Sequence, residues 1–178
     1  MQDLGIAQEG DALLRTTAAG FTLPDEADDA RGVVEELFQR ISAIRRVHTF
    51  SKGTGLAAPQ IGIGRRATVI LDPDTPAPIV LINPEVTGVT ARLDDPKFEG
   101  CLSFFDARGR LARPLAIRVA HQDFDGTPLE STYTKGTARL VAHEIDHLDG
   151  VLYVDRMAPD EVAIPVLQYY GTGSPWAY

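Results

Sequence analysis

His143-Glu144-Ile145-Asp146-His147 is the stretch on which the fold turns. Around it Val141, Ile145 and Leu148 recur at helical spacing, so residues 137–148 read as an amphipathic helix, with Gly150 placed to end it in a left-handed cap. Histidines four apart on a helix stand one above the other on one face, where both rings reach a single metal ion. Glu144 lies one step round from His143, off the ligand face but close enough to exchange a proton with water at the metal. So short a pattern also fits a solvated helix surface that happens to carry two histidines and two acids. Asp146 is off the histidine face and reads as a nearby or surface acid rather than a ligand.

A catalytic zinc or iron centre takes three protein ligands and leaves one position open, so a third donor is required. A metzincin-like continuation would put a histidine at 153, where the chain has Tyr153. His48, ending an earlier helix, and His121, alternating with Val119 along a strand, read as structural or solvated. The single cysteine, Cys101, is the better donor, in a segment between strands that reads Glu99-Gly100-Cys101-Leu102-Ser103. A lone cysteine is also commonly a small buried hydrophobe, and beside a histidine base it could be a nucleophile.

The rest of the chain frames this helix. With 178 residues, 44% hydrophobic and 24% charged, residues 1–178 are expected to form one core-forming domain. The net charge of -8 has the wrong sign for tracking phosphate backbones, which argues against nucleic-acid binding. One cysteine excludes an internal disulfide and a Cys-only zinc site. No basic-then-apolar leader and no long apolar run is present, so a cytoplasmic address without membrane contact is expected. From about Asp29, Val33, Val34, Leu37, Phe38, Ile41 and Ile44 mark a first amphipathic helix. Strands are expected at 67–71 and 79–82, each closed by a proline, then at 86–93, 117–124 and 129–134, the last two joined through Asp125-Gly126. The tail, 169–178, shows no helical period. The class is α+β with a mainly antiparallel middle.

A glycine-rich segment, Gly53-Thr54-Gly55-Leu56-Ala57-Ala58-Pro59-Gln60, precedes the strands and lacks the Lys-Ser/Thr of a phosphate loop. Taken in order, this segment, Glu99-Gly100-Cys101-Leu102-Ser103 and the His143 to His147 helix resemble the peptide deformylases, over a region from the first long helix to about Arg156. The resemblance implies antiparallel β-sheets around a central helix bearing HExxH, plus an N-terminal helix. It implies hydrolysis of the N-formyl group from formyl-methionine on nascent chains, releasing formate. Cys101, His143 and His147 would hold one divalent ion with water as fourth ligand. Fe2+ is the family's native metal, and Zn2+, Ni2+ or Co2+ suit the same donors. Glu144 would act as general base and then acid, with the Gln60 amide and the Leu102 N–H as oxyanion donors and Thr54, Gly55 and Gly100 contacting substrate.

An N-formylated peptide is the implied partner, with the ribosome as a further one. Read without the resemblance, Gln60 is a surface turn residue; Arg113 is a weak substrate-side candidate and otherwise a surface charge. The chain departs from the family at Phe104-Phe105-Asp106, where an aliphatic residue and proline are usual, and at Ala142, where glutamine is common. A specialised enzyme for another N-formyl compound and a non-catalytic metal-binding homologue are the alternatives.

Overall fold

The computed structural model describes residues 1–48, 50 and 53–170. Helix α1 (Ala27–Val47) buries Val34, Leu37, Ile41 and Ile44 of the expected stripe together with Ala30, leaves Val33 and Phe38 half-buried, and carries Arg45 and Arg46 in the last turn at the negative pole of its dipole. It lies against strands β1 (Thr54–Ala57) and β2 (Ala67–Leu71). Successive side chains of β2 serve different neighbours: Ala67 and Val69 join the core under α1, and Ile70 joins the core under α2 (Lys135–Leu148). A strand covered on both faces reads as an unbroken apolar run rather than an alternation.

The larger sheet has the order β1-β2-β3-β6-β7, antiparallel throughout, with β3 (Ile79–Val89), β6 (Ala116–Gln122) and β7 (Pro128–Thr134). The turn between β6 and β7 uses Gly126 at φ 85, and the Asp125 carboxylate accepts the Thr127 N–H at 2.8 Å.

Two expectations are corrected. The separate strands at 79–82 and 86–93 are one strand, because Pro84 does not end β3. Asn83 sits at φ 51 beside a register shift, accepts the Phe21 N–H, and donates to the Phe21 carbonyl and to Gln122 Oε1 at 2.6 Å. A bulge excuses proline from the ladder, and the Asn83 side chain ties this irregular stretch to the main chain of Phe21 and to Gln122 on β6. Residues 99–103 are likewise not a connector. Cys101 ends a strand, β4 (Lys97–Cys101), which turns through Leu102-Ser103 into β5 (Phe104–Leu111); β8 (Ile164–Pro165) completes a second sheet of order β4-β5-β8. Phe104-Phe105-Asp106-Ala107-Arg108-Gly109 has no alternation to announce a strand. Gly109 is there because a Cβ would come within 2.4 Å of the Tyr153 ring.

Helix α2 packs Val141 and Ile145 on the larger sheet together with Ile70, Leu81, Ile117 and Val119. Its histidine face looks the other way, toward β4. Gly150 follows at φ 72, the left-handed residue expected after the helix, and a Cβ there would lie 2.8 Å from the Arg15 carbonyl carbon. The first two residues of the tail belong to a short helix, α3 (Val166–Tyr170), and the remainder, 171–178, lies outside the described residues. Among the described residues no helix is long and apolar enough to cross a membrane.

Candidate metal centre

The four-residue spacing of α2 sets His143 and His147 with ring centroids 5.0 Å apart, both buried, and the end of β4 brings Cys101 against them. Cys101 Sγ lies 3.1 Å from His147 Nε2, and the donor atoms of Cys101, His143 and His147 all fall within 4.8 Å of one another. Among the described residues this is the cluster able to hold a metal ion. A thiolate with two imidazoles is a donor set for a tetrahedral ion and does not select one metal.

The electrostatics favour a cation there. Burial raises the Cys101 thiol, but His147 and His143 outweigh it and hold the thiol well below its ordinary range. Burial lowers His143, yet Cys101 and Glu99 outweigh that and raise it. A Cys101 thiolate and a protonated His143 are thus favoured together, and a divalent ion held there would take the place of the His143 ring proton.

Glu144 is buried beside this cluster, and its Oε2 has no hydrogen-bond partner. Burial is the main reason that its carboxyl is raised to about 7, partly offset by His143 and His147. Gly55 makes room for it: a Cβ at 55 would stand 2.2 Å from Glu144 Oε1. The glycine in the first motif therefore clears the carboxylate as well as facing the cleft.

Gln60 is no surface residue. It is 1% exposed; its Oε1 accepts the Ala57 N–H at 2.9 Å, and its Nε2 donates to Ser103 Oγ at 3.2 Å and to Cys101 Sγ at 3.7 Å. Thr54, Gly55, Gln60, Gly100, Cys101, Leu102, His143 and Glu144 all line one cleft of about 770 Å³; His147 lies behind it. Of the site residues that the family resemblance implies, all but His147 thus line this cleft.

Arg113 requires a second correction. Its side chain is 5% exposed, and it donates through Nε and Nη2 to both Glu99 oxygens at 2.7 and 2.9 Å and through Nη1 to Asp146 at 2.7 Å. Glu99 also accepts from Arg139 at 2.6 Å and meets His143 Nδ1 at 3.1 Å. Asp146 is held on its other oxygen by Arg156 at 2.7 Å. Burial raises Glu99, and Arg113 and His143 more than reverse it, leaving the carboxylate far below its usual range. Nothing in their local sequence marks Glu99 and Arg139 as partners of Arg113 and Asp94. Glu99's place two residues before Cys101, which puts both on one face of a strand, is the signal that marks it as part of the site.

The departures from the motif fall outside the cleft. Phe104 packs edge-on against Tyr153 at 5.3 Å, and Ala142 borders the core under α2. Tyr153, at the position where a metzincin sequence would continue with histidine, stacks near-parallel to His143 at 6.3 Å.

The sequence model for polypeptide deformylases matches residues 4–163. The chain belongs to the peptide deformylase family. The match extends well upstream of the segments that carry the resemblance. A peptide deformylase of a Picosynechococcus strain is 39% identical over 158 residues, covering 87% of this chain and 79% of its own length. That of Prochlorococcus marinus is 38% identical over 162 residues, covering 89% and 75%. Among solved structures, the deformylase of Thermotoga maritima superposes with a TM-score of 0.73 at 34% identity, covering 86% of this chain and 97% of that one. The Synechococcus elongatus deformylase in complex with actinonin gives 0.74 at 34% identity, covering 87% and 79%. As a deformylase the chain is a hydrolase of the metal-dependent kind, and its α+β architecture around the HExxH helix is the family's.

Proposed function

We propose that this protein removes the formyl group from formyl-methionine at the amino terminus of nascent chains, with Cys101, His143 and His147 as ligands of one divalent ion, Fe2+ in the cell and replaceable by Zn2+, Ni2+ or Co2+. The observation that carries this reading is Glu144: a buried carboxylate with a free oxygen, beside a Cys-His-His donor set, in the wall of an open cleft. A divalent ion held there supplies Lewis acidity toward the formyl oxygen and makes water nucleophilic near neutral pH.

The chain's own groups do the rest. Glu144 Oε2, which has no other hydrogen-bond partner, accepts the proton from the attacking water and returns it to the departing amine. The Gln60 amide, fixed by Ala57 and Ser103, and the Leu102 N–H face the charge that develops on the formyl oxygen, each donor contributing about 3 kcal/mol. Thr54 and Gly55 on β1 and Gly100 on β4 offer main chain to an extended peptide lying between the strands. Residues 1–178 act as a single domain in the cytoplasm, meeting substrate at the ribosome.

The test is formate release from formyl-Met-Ala by anaerobically prepared, iron-loaded protein. Turnover that disappears on chelation and in Glu144→Ala with metal retained supports the reading. Activity that survives chelation and is lost on thiol alkylation alone would instead make Cys101 a nucleophile. A folded, metal-occupied protein without turnover on formyl-Met-Ala would turn attention to another N-formyl compound.

A further inference from the structure

Lys135 and Gly136 stand in the reverse of their favourable order. Lys135 opens α2 at φ 54, in the left-handed region that side chains seldom enter and glycine enters freely. Gly136 follows inside the helix, outside that region, where glycine is among the weakest helix formers. Exchanging the two would relieve both positions. Local choices that oppose the backbone's preference concentrate where function requires them.

What the absent side chain leaves is space in the cleft. Gly136, Leu140 and His143 follow one another at i, i+4 and i+7 along the same helical face, and all three line the cleft. A Cβ at 136 would meet nothing within 4 Å. At 1.5 Å per residue the cleft thus stays open for about 10 Å along the helix beyond His143. Leu140 gives this extension an apolar flank, and Phe98 lines the same cleft. The nearby Asp94 carboxylate is paired with Arg139 at 2.9 Å and with Lys97 at 3.7 Å.

We propose that Gly136 sets the size limit for the side chain next to the formyl group, and that this enzyme accepts side chains bulkier than methionine's, aromatic ones first. The proposal rests on the deformylase reading above. Its test compares kcat/KM for formyl-Phe-Ala and formyl-Met-Ala in the iron-loaded enzyme. The expected result is a phenylalanine value at least equal to that for methionine, with a Phe-to-Met ratio that falls about tenfold or more in Gly136→Leu. Gly136→Ala should lower the ratio less while raising Tm, which keeps the test available if the leucine variant fails to fold. Lys135→Gly should raise Tm and leave the ratio unmoved, separating backbone relief from cleft volume.

A ratio that Gly136→Leu and Gly136→Ala both leave unchanged would overturn the proposal, as would a wild-type preference for methionine of about tenfold or more. Formate from neither peptide would sink the deformylase reading instead. Calorimetric affinities of the zinc-loaded protein for the peptides Phe-Ala and Met-Ala then decide the size limit on their own. Tighter Phe-Ala binding that reverses in Gly136→Leu supports it, and an unreversed order rejects it.

Discussion

Glu99 Oε2 lies 3.1 Å from His143 Nδ1, so the carboxylate that Arg113 and Arg139 hold in place also fixes the ring that faces Cys101. A hydrogen bond on one imidazole nitrogen decides which nitrogen is left to bind a metal and how the ring is turned. Glu99→Gln keeps a carbonyl acceptor but removes the charge. Metal affinity should fall about tenfold or more, read by competition with a chromogenic chelator. A purely structural role would lower Tm and leave that affinity alone.

Arg113 neutralises two buried acids at once. Arg113→Met should destabilise the zinc-loaded protein by about 3 kcal/mol in urea unfolding, because Glu99 and Asp146 lose their shared partner inside the protein. Arg139 and Arg156 soften the loss, one on each acid. Arg113→Lys should recover only part of it, since a lysine cannot span both carboxylates with a planar fork. A variant as stable as the wild type would show that the two outer arginines suffice.

Gly55→Ala places a methyl group where Glu144 Oε1 now lies. The carboxylate must shift, and a displacement of about 1 Å at a proton-transfer group costs about a hundredfold in rate. The variant should bind metal normally while kcat for formyl-Met-Ala drops by that order. Unimpaired kcat would mean that the active position of Glu144 differs from the one described.

Asp94 provides a pH signature. Burial raises its carboxyl, but the Arg113 N–H and the Arg139 side chain outweigh this and lower it below 3.8. A carboxylate whose folded value is depressed contributes stability above its unfolded value and loses that contribution as pH falls through the folded one. Asp94→Asn should therefore be less stable than the wild type at pH 7, and the two stabilities should converge as the pH falls below about 3.8. A constant difference across that window would assign the effect to packing instead of charge.

What the sequence alone determined is what repeats along it. The stripe from Val34 to Ile44, the apolar run of β2, the pairing of β6 with β7 through Asp125-Gly126 and the placing of His143 and His147 on one helix face all follow from the local periods of helix and strand. The three motif segments, read together, carried the family and pointed to Cys101, His143 and His147, which the fold brings together. The tertiary structure decided what depends on partners distant in the chain. Arg113 looks like a surface charge until Glu99 closes on it from β4 and Asp146 from α2. Gln60 looks like a turn residue until Ser103 and Cys101 meet its amide. Pro84 looks like a strand end until a register shift against β6 and the bonds of Asn83 to Phe21 and Gln122 carry β3 through it. Burying a charge or interrupting a ladder is costly unless a partner arrives, and such partners are set by topology, which no local period encodes.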